Sequence, residues 1–312
     1  MIDPIVAAAA SAGLLANTKT LPAWLLYDAT GCALYEKITL LPEYYLTRAE
    51  AEIFKRSGDA IIAQAREGTD RIAIAEIGAG TATKTETLLA AAVRAQRSVT
   101  YLACDIAPEP LEEVRARMRT SVPGVDVKVA VGTHREAVPA IAALRERQVL
   151  MFIGSSIGNY ADDDAVALLR AMRAALRKDA VLILGTDLKK DPAVLRAAYD
   201  DSQGVTAAFS LNMLTRLNRD LAAHFDVTSF KHVALWNEAT SNVEVFLESQ
   251  REQDVEIGAF GHAVHFQKGE RIHTEICAKY DLARVDRILN AAGFSRATTY
   301  GTEFGVHLAR VA

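Results

Sequence analysis

The chain has 312 residues, of which 50% are hydrophobic and 24% charged, and its formal net charge is −4. Such a balance offers no electrostatic basis for binding nucleic acid or an anionic membrane, and no apolar run reaches the roughly 18 residues that span a bilayer. The three cysteines (Cys32, Cys104 and Cys277) form no CxxC pair, which favours a reducing compartment. We therefore expect a cytoplasmic monomer whose partner is a small molecule, with no nucleic-acid or membrane partner.

The N-terminal region, residues 1–65, is predicted to be mainly helical around an irregular segment at 40–47. The apolar run from Ile5 to Leu15 could be mistaken for a signal peptide, but the only early charge is Asp3 and a signal peptide needs a basic start. We interpret the run as a helix.

Short apolar runs alternate with amphipathic stretches between Arg71 and Thr186. Strands are predicted at 71–77, 100–106, 125–131, 149–153 and 180–184. Helices are predicted at 85–97, from Pro110 onward, at 135–147 and at 162–176. This alternation indicates an α/β fold with a doubly wound, mostly parallel sheet.

The region after Leu188 differs in pattern. Residues 188–235 are predicted to be helical with no strand, and residues 242–249 alternate with period two, as in an antiparallel strand. Further strands are expected within 255–266 and 270–280, a helix at 282–292 and a last strand near Val306. We expect a sheet domain of residues 66–187 and 282–312, and a smaller α+β cap domain of residues 1–65 and 188–281 over the carboxyl edge of the sheet.

A glycine turn follows the first predicted strand, in the sequence Glu76-Ile-Gly78-Ala-Gly80-Thr-Ala-Thr83. Taken alone it could be a tight strand-to-helix connection with no ligand. The second strand ends in Asp105, whose carboxylate suits ribose hydroxyls. Thr83 replaces the third glycine of the dinucleotide fingerprint. Because Glu76 precedes the first glycine, we predict S-adenosylmethionine as the cofactor rather than a nicotinamide dinucleotide.

Seven segments, in order along nearly the whole chain, resemble the histidine-specific Nα-methyltransferases of ergothioneine biosynthesis. They are LPEYYLTR (41–48), EIGAGT (76–81) with Lys84, FIGSSIGN (152–159), GTDLKKD (185–191), AYDDSQGVTAAF (198–209), Asn218-Arg219 and GERIHTE (269–275). The resemblance implies a Rossmann-like methyltransferase fold and successive transfer of three methyl groups to the α-nitrogen of histidine, giving a betaine.

Site residues follow from the resemblance and from the turn. The residues expected to bind the cofactor are Glu76, Gly78, Gly80, Lys84, Asp105, Thr133 and His134. Those expected to bind the substrate are Tyr27, Tyr44, Asn159, Tyr199, Val245, Glu275 and Cys277, with Tyr44 and Asn159 as the catalytic pair. The residue types suit the task, because a carboxylate can orient an imidazole N–H and aromatic faces stabilise a quaternary ammonium.

Three departures from the family pattern bear on specificity. Val245 stands where these enzymes usually carry methionine, Cys277 where a serine usually helps hold the imidazole, and Thr133-His134 where an acidic-aromatic pair would flank the adenine. Three alternatives stay open: another amino acid or amine, such as tryptophan, as substrate; a non-catalytic S-adenosylmethionine-binding homologue; and a nicotinamide oxidoreductase. No metal is expected, because the His262/His265 pair lies in a strand pattern without further ligands.

Overall fold

The computed structural model describes residues 2–106 and 108–312. Its strands are β1 Ile72–Ile77, β2 Val99–Asp105, β3 Val125–Val131, β4 Arg147–Phe152, β5 Val181–Asp187, β6 Phe230–Asn237, β7 Asn242–Ser249, β8 Gln253–Ile257, β9 His262–Phe266, β10 Arg271–Ala278, β11 Phe294–Tyr300 and β12 Phe304–Val311. Its helices are α1 Pro4–Leu14, α2 Ala29–Thr39, α3 Leu46–Arg66, α4 Thr85–Gln96, α5 Pro108–Ser121, α6 His134–Ala142, α7 Asp162–Arg173, α8 Pro192–Ala197, α9 Val205–Leu221 and α10 Leu282–Ala291. Short 3₁₀ turns lie at Ala23–Leu26, Ser156–Asn159 and Val227–Ser229.

The larger of two compact units, residues 46–189 with 279–312, holds a seven-stranded sheet in the order β11-β12-β5-β4-β1-β2-β3. Strands β1 to β5 are parallel, and β12 is antiparallel to both β5 and β11. All six residues of β1 are buried, as expected for a central parallel strand covered on both faces. The predicted doubly wound, mostly parallel sheet is confirmed.

The strand order reverses between β1 and β4, which are neighbours in the sheet although β2 and β3 separate them in sequence. In open α/β sheets the ligand-binding crevice lies outside the carboxyl ends of the strands at such a switch point. The loops that follow β1 and β4 therefore occupy the position where this fold binds its ligand.

Helix α3 belongs to the larger unit, whereas the sequence prediction assigned residues 1–65 to the smaller domain. The buried residues Phe54, Ile61, Ile62 and Ala65 lie on one face of this helix, which packs against α4 and β12. Because that apolar face is buried within the larger unit, the boundary between the two units lies before Leu46.

The smaller unit, residues 1–45 with 190–278, combines helices with a three-stranded antiparallel sheet in the order β10-β7-β6 and the hairpin β8-β9. The predicted strand at 242–249 is confirmed as β7. Helix α9 packs against α1, α2 and β6. The expected helical start of the chain is confirmed by α1, whose first turn is capped by the Asp3 carboxylate.

Two strands lay outside the sequence prediction. The expectation of no strand in 188–235 is wrong, because β6 begins at Phe230. Its buried residues alternate with more accessible ones, but the buried His232 and the exposed Leu235 hide the alternation in the sequence. The edge strand β11 has few apolar residues and forms by pairing with β12. The predicted helix at 135–147 is also too long, because α6 ends at Ala142 and β4 already begins at Arg147.

Candidate active site

The turn after β1 is fastened to the end of β2 by its backbone. Gly78 and Gly80 have φ angles of +69° and +49°, a left-handed conformation that glycine adopts without strain. The amide of Gly78 donates to the Cys104 carbonyl at 2.9 Å, and the amide of Gly80 donates to Asp105 Oδ2 at 2.9 Å. The turn and the Asp105 carboxylate, two separate sequence predictions, are therefore adjacent.

Glu76 lies beneath this turn with only 2% of its surface exposed. Its carboxylate accepts hydrogen bonds from the hydroxyls of Thr85, at 2.8 and 3.0 Å, and Tyr101. Burial raises the pKa of Glu76 to about 7, although both hydrogen bonds lower it. The side chain thus ties the end of β1 to β2 and to the start of α4, which is a supporting role for the turn. Contact between Glu76 and the cofactor stays a prediction.

Thr133 and His134 begin α6, after β3. The Thr133 hydroxyl accepts from the Glu136 amide, and the Glu136 carboxylate accepts from the Thr133 amide, which forms a capping box. The His134 ring packs edge-on against Phe152 and Tyr160, with centroids 5.9 and 6.2 Å apart. Burial lowers the pKa of His134, against the opposing effect of Asp105, so the ring is neutral at neutral pH. Neutral His134 is therefore suited to line an adenine pocket.

The loop after β4 carries Asn159. Gly154 and Ser155 both have left-handed φ angles, +74° and +60°, which turns the chain sharply at the carboxyl end of the sheet. The Ser155 hydroxyl accepts from the Asp187 amide at 3.0 Å and so joins this loop to the end of β5. A left-handed serine costs of order 1 kcal/mol, and the following 3₁₀ turn ends at Asn159. The structure therefore places Asn159 on the loop that follows β4.

In the smaller unit, five aromatic rings form one cluster: Tyr27, Tyr35, Tyr44, Tyr199 and Phe209. Successive pairs are in contact, with centroid separations of 5.8 Å for Tyr27–Tyr35, 6.2 Å for Tyr35–Tyr44, 6.2 Å for Tyr44–Tyr199 and 5.5 Å for Tyr27–Phe209. These four pairs meet at interplanar angles of 68° to 80°. Rings set at such angles can present either a face or an edge to a neighbouring group.

Strand geometry places Glu275, Cys277 and Val245 on one face of the small sheet. Glu275 and Cys277 are two residues apart on β10, and Val245 on β7 is the direct partner of Glu275. Burial raises the pKa of Tyr27 well above its ordinary value, with further contributions from Glu275 first, then Tyr35 and Cys277. Glu275 and Cys277 each raise the pKa of Tyr27, which indicates that the carboxylate and the thiol lie near this ring of the cluster.

Two tyrosines of the cluster, Tyr27 and Tyr44, keep their hydroxyl protons at neutral pH. Burial raises the pKa of Tyr44 well above its ordinary value, and Tyr35 raises it further. The two hydroxyls lie 3.4 Å apart. Tyr44 therefore contributes a neutral hydroxyl and an aromatic face, which suits binding of an amine better than removal of its proton.

Contacts within the smaller unit hold the cluster in place. Lys190 donates to the Tyr45 hydroxyl at 2.7 Å, and the Ser202 hydroxyl donates to Glu43 at 2.7 Å. Both bonds join the 41–45 segment to the 190–202 segment. The ring of His232 is hydrogen-bonded to the Tyr199 carbonyl at 2.8 Å.

The sequence prediction missed four aromatic residues at these two places, namely Tyr35 and Phe209 in the cluster and Phe152 and Tyr160 beside His134. Phe209 ends one of the family segments, and its position was available from the pattern. Tyr35 could have been found by its place on α2, between Tyr27 and Tyr44. Phe152 likewise begins the family segment 152–159, whereas Tyr160 lies just beyond that segment and is not marked by it.

Two further features of the described residues concern metal ions and membranes. His262 and His265 lie on β9, where His265 contacts Asp254 at 2.9 Å. Across residues 2–106 and 108–312, no three histidine, cysteine or acidic side chains are grouped so as to hold a metal ion. Within the same ranges, no helix has the length and hydropathy of a membrane span.

The loops at the switch point fit S-adenosylmethionine. A Cβ built on Gly78 or Gly80 would meet no atom of the described residues within 4 Å, so the turn leaves room for a ligand to approach its backbone. Cofactor binding by Asp105 and His134 stays a prediction. The sheet order and the open glycine turn agree with a methyltransferase that depends on S-adenosylmethionine.

Comparison with known proteins identifies the family. The family model described as "Histidine-specific methyltransferase, SAM-dependent" matches residues 6–311, so the chain belongs to this family. The chain is 37% identical to the histidine N-alpha-methyltransferase of Mycobacterium tuberculosis, over 95% of this chain and 92% of that protein. It is likewise 37% identical to the enzyme of the same name from Mycolicibacterium smegmatis, over 96% of this chain and 92% of that protein. Ergothioneine biosynthesis protein 1 of Neurospora crassa is 29% identical over 93% of this chain, which spans 33% of that longer protein.

Proposed function

We propose that this enzyme transfers methyl groups from S-adenosylmethionine to the α-amino group of L-histidine until a trimethylated betaine is formed. The larger unit binds the cofactor and the smaller unit binds the amino acid. The observation that carries the proposal is a carboxylate, Glu275, beside a cluster of neutral aromatic rings. The relatives named for histidine Nα-methylation, at 37% identity over most of both chains, support the same atom as the methyl acceptor.

The cofactor supplies, when bound, an electrophilic methyl group on a sulfonium. Gly78 and Gly80 allow the backbone to approach the cofactor, Asp105 accepts from ribose hydroxyls, and Lys84 lies at the start of α4, where the turn ends. His134, a neutral ring, would line the purine side of the cofactor site. These residues orient the cofactor and carry no proton in the reaction, because a displacement at carbon requires positioning more than acid–base chemistry. In each transfer the neutral α-amine forms the new N–C bond as the S–C bond of the sulfonium breaks, S-adenosylhomocysteine is released, and one proton passes from the nitrogen to solvent.

The residues of the smaller unit bind and orient the histidine. Glu275 accepts from an imidazole N–H, which fixes the ring orientation. Tyr44 and its neighbouring rings surround the amine. The hydroxyl of Tyr199 donates to the substrate carboxylate. As methyl groups accumulate, the nitrogen gains a fixed positive charge and apolar surface, and both are stabilised by aromatic faces.

The order of methylation tests this proposal. Histidine and its α-N-monomethyl and α-N,N-dimethyl derivatives are each incubated with S-adenosylmethionine, and product masses are followed over time. We expect the methylated intermediates to bind at least as well as histidine, and the trimethyl product to be the end point. Imidazolepropionate, which lacks the amine, serves as the control and is expected to remain unmethylated.

Three results would contradict the proposal. A monomethyl product that accumulates and is never converted further would limit the enzyme to one transfer. Methylation of imidazolepropionate would move the reaction from the α-amine to the ring. Tryptophan is included in the same panel, because Val245 and Cys277 depart from the usual pocket. If tryptophan is methylated in preference to histidine, tryptophan is the substrate.

We further propose that the enzyme acts as a cytoplasmic monomer on the free amino acid. Support comes from the cysteine pattern and from the modest net charge of −4. Size-exclusion chromatography coupled to light scattering tests the monomer directly.

A further inference from the structure

Glu50 is a fully buried carboxylate that lies outside the recognised cofactor motif. It is 0% exposed and sits on α3, one turn after the helix begins. Its two oxygens accept from the Gly154 amide at 2.9 and 3.1 Å, and one of them also forms an ion pair with Lys84 Nζ. Buried carboxylates are costly unless they are paired and hydrogen-bonded, and Glu50 is both.

The partners of Glu50 lie at the carboxyl edge of the sheet. Lys84 ends the turn after β1, and Gly154 begins the loop after β4, so the carboxylate joins the two loops of the switch point. Gly185, on β5, leaves the space that the carboxylate occupies: a Cβ built there would meet Glu50 Oε1 and would lie 3.1 Å from the Ile153 Cα. Residues from three neighbouring strand ends are thus arranged around one anion.

The ion pair between Glu50 and Lys84 restricts the lysine side chain that is proposed to bind the cofactor. A lysine side chain has many rotamers, and fixing it costs up to about 2 kcal/mol of conformational entropy. Glu50 holds the Lys84 ammonium next to Gly154, where a built Cβ would lie 3.6 Å from Nζ. The ammonium is thereby held beside the glycine turns.

We infer that Glu50 is a positioning residue for the cofactor, acting by holding Lys84 and the Gly154 backbone in their binding arrangement. The inference rests on the proposed role of Lys84 in cofactor binding. It adds a residue outside the glycine motif, brought to the cofactor loops by a helix that precedes the first strand of the sheet.

A double-mutant cycle tests the inference through the affinity for S-adenosylhomocysteine, measured by calorimetry without histidine. The variants are Glu50→Gln, Lys84→Met and the double change. Glutamine keeps the shape and an acceptor for the Gly154 amide but loses the charge that holds Lys84. We expect each single change to weaken binding about tenfold, and the double variant to bind no more weakly than Lys84→Met alone.

Two outcomes would overturn the inference, and a third would overturn the proposed role of Lys84. Multiplicative losses in the double variant would show that Glu50 does not act through Lys84 and would overturn the inference. Unchanged affinity in Glu50→Gln, with a lowered melting temperature, would overturn it as well, since Glu50 would then serve stability only. Unchanged affinity in Lys84→Met would instead remove the proposed role of Lys84 itself.

Two further variants complete the experiment. Glu52→Gln changes an exposed carboxylate on the same helix and is expected to leave the affinity unchanged. Glu50→Asp keeps the negative charge but shortens the side chain, and it replaces Glu50→Gln in the cycle if the glutamine variant does not fold. We expect it to weaken binding less than Lys84→Met does, and affinity equal to the wild type would count against the inference.

Discussion

The turn after β1 in the larger unit and the aromatic cluster in the smaller unit are built from different kinds of sequence. The turn is local: Gly78, Gly80 and Lys84 are close neighbours in sequence, and Asp105 ends the adjacent strand. The aromatic cluster takes Tyr27, Tyr35 and Tyr44 from the start of the chain and Tyr199 and Phe209 from residues 198–209, and Glu275 comes from the later strand β10. A short motif can therefore identify the first region, whereas the second needs the tertiary fold.

The two regions also differ in how charge is handled. In the larger unit, the buried carboxylates of Glu50 and Glu76 are each held by several donors. In the smaller unit, Glu275 lies near rings whose pKa values are raised by burial. Fixed polar partners suit a cofactor of constant structure. A largely aromatic surface suits a nitrogen whose charge state and size change with each transfer.

The largest expected effect comes from Glu275 in the smaller unit. Glu275→Ala removes a charged acceptor, a loss of about 1.5–3 kcal/mol, so kcat/KM for histidine is expected to fall roughly ten- to a hundredfold. Affinity for S-adenosylhomocysteine is expected to stay near normal, because the cofactor residues lie in the other unit. Steady-state kinetics and calorimetry measure the two quantities.

The control for Glu275→Ala removes a carboxylate from a different strand. Glu256→Ala removes an exposed carboxylate from β8 and is expected to leave histidine turnover unchanged. If Glu275→Ala lowered cofactor affinity as much as turnover, the division of roles between the two units would be wrong.

The fold of the larger unit was predictable because buried parallel strands are continuous apolar runs separated by amphipathic helices, as in β1 and β4. The edge strand β11 and the half-buried β6 were not, because their residues gain stability from neighbours that the sequence alone does not identify. The glycine turn was found from spacing. Glu50 was missed for a related reason: an acidic residue on an amphipathic helix gives no sign that it is buried.

The second effect concerns Asp105 in the larger unit. Asp105→Ala removes the acceptor for ribose hydroxyls and for the Gly80 amide, so S-adenosylhomocysteine is expected to bind about tenfold or more weakly, for a loss of roughly 1–3 kcal/mol. Calorimetric titration measures this change.

Two control variants separate the contributions at Asp105. Asp105→Asn keeps an acceptor for the Gly80 amide but loses the charge, and an intermediate affinity is expected. Asp126→Ala removes an exposed carboxylate near the opposite end of the neighbouring strand β3 and should have no effect. Unchanged binding in Asp105→Ala would exclude this strand end from the cofactor site.

The smallest expected effect tests the substrate through the two departures in the smaller unit. Val245 is 1% exposed and Cys277 5% exposed, and both lie on the face that carries Glu275. Val245→Met with Cys277→Ser restores the usual family residues, including a hydroxyl that can hydrogen-bond an imidazole. We expect kcat/KM for histidine to be equal or higher, because the added hydroxyl gains a partner in the substrate and offsets the strain of the larger methionine, which in a packed core is about 1–3 kcal/mol.

The two single variants serve as controls that separate shape from hydrogen bonding. Val245→Met alone tests whether the wall tolerates the longer side chain, and Cys277→Ser alone tests the hydroxyl. If the double change abolishes activity and histidine is a poor substrate for the unaltered enzyme, the pocket is built for a bulkier aromatic amino acid. Glu275 would then contact the substrate amine rather than an imidazole, because the ammonium group is a donor that every amino-acid substrate offers.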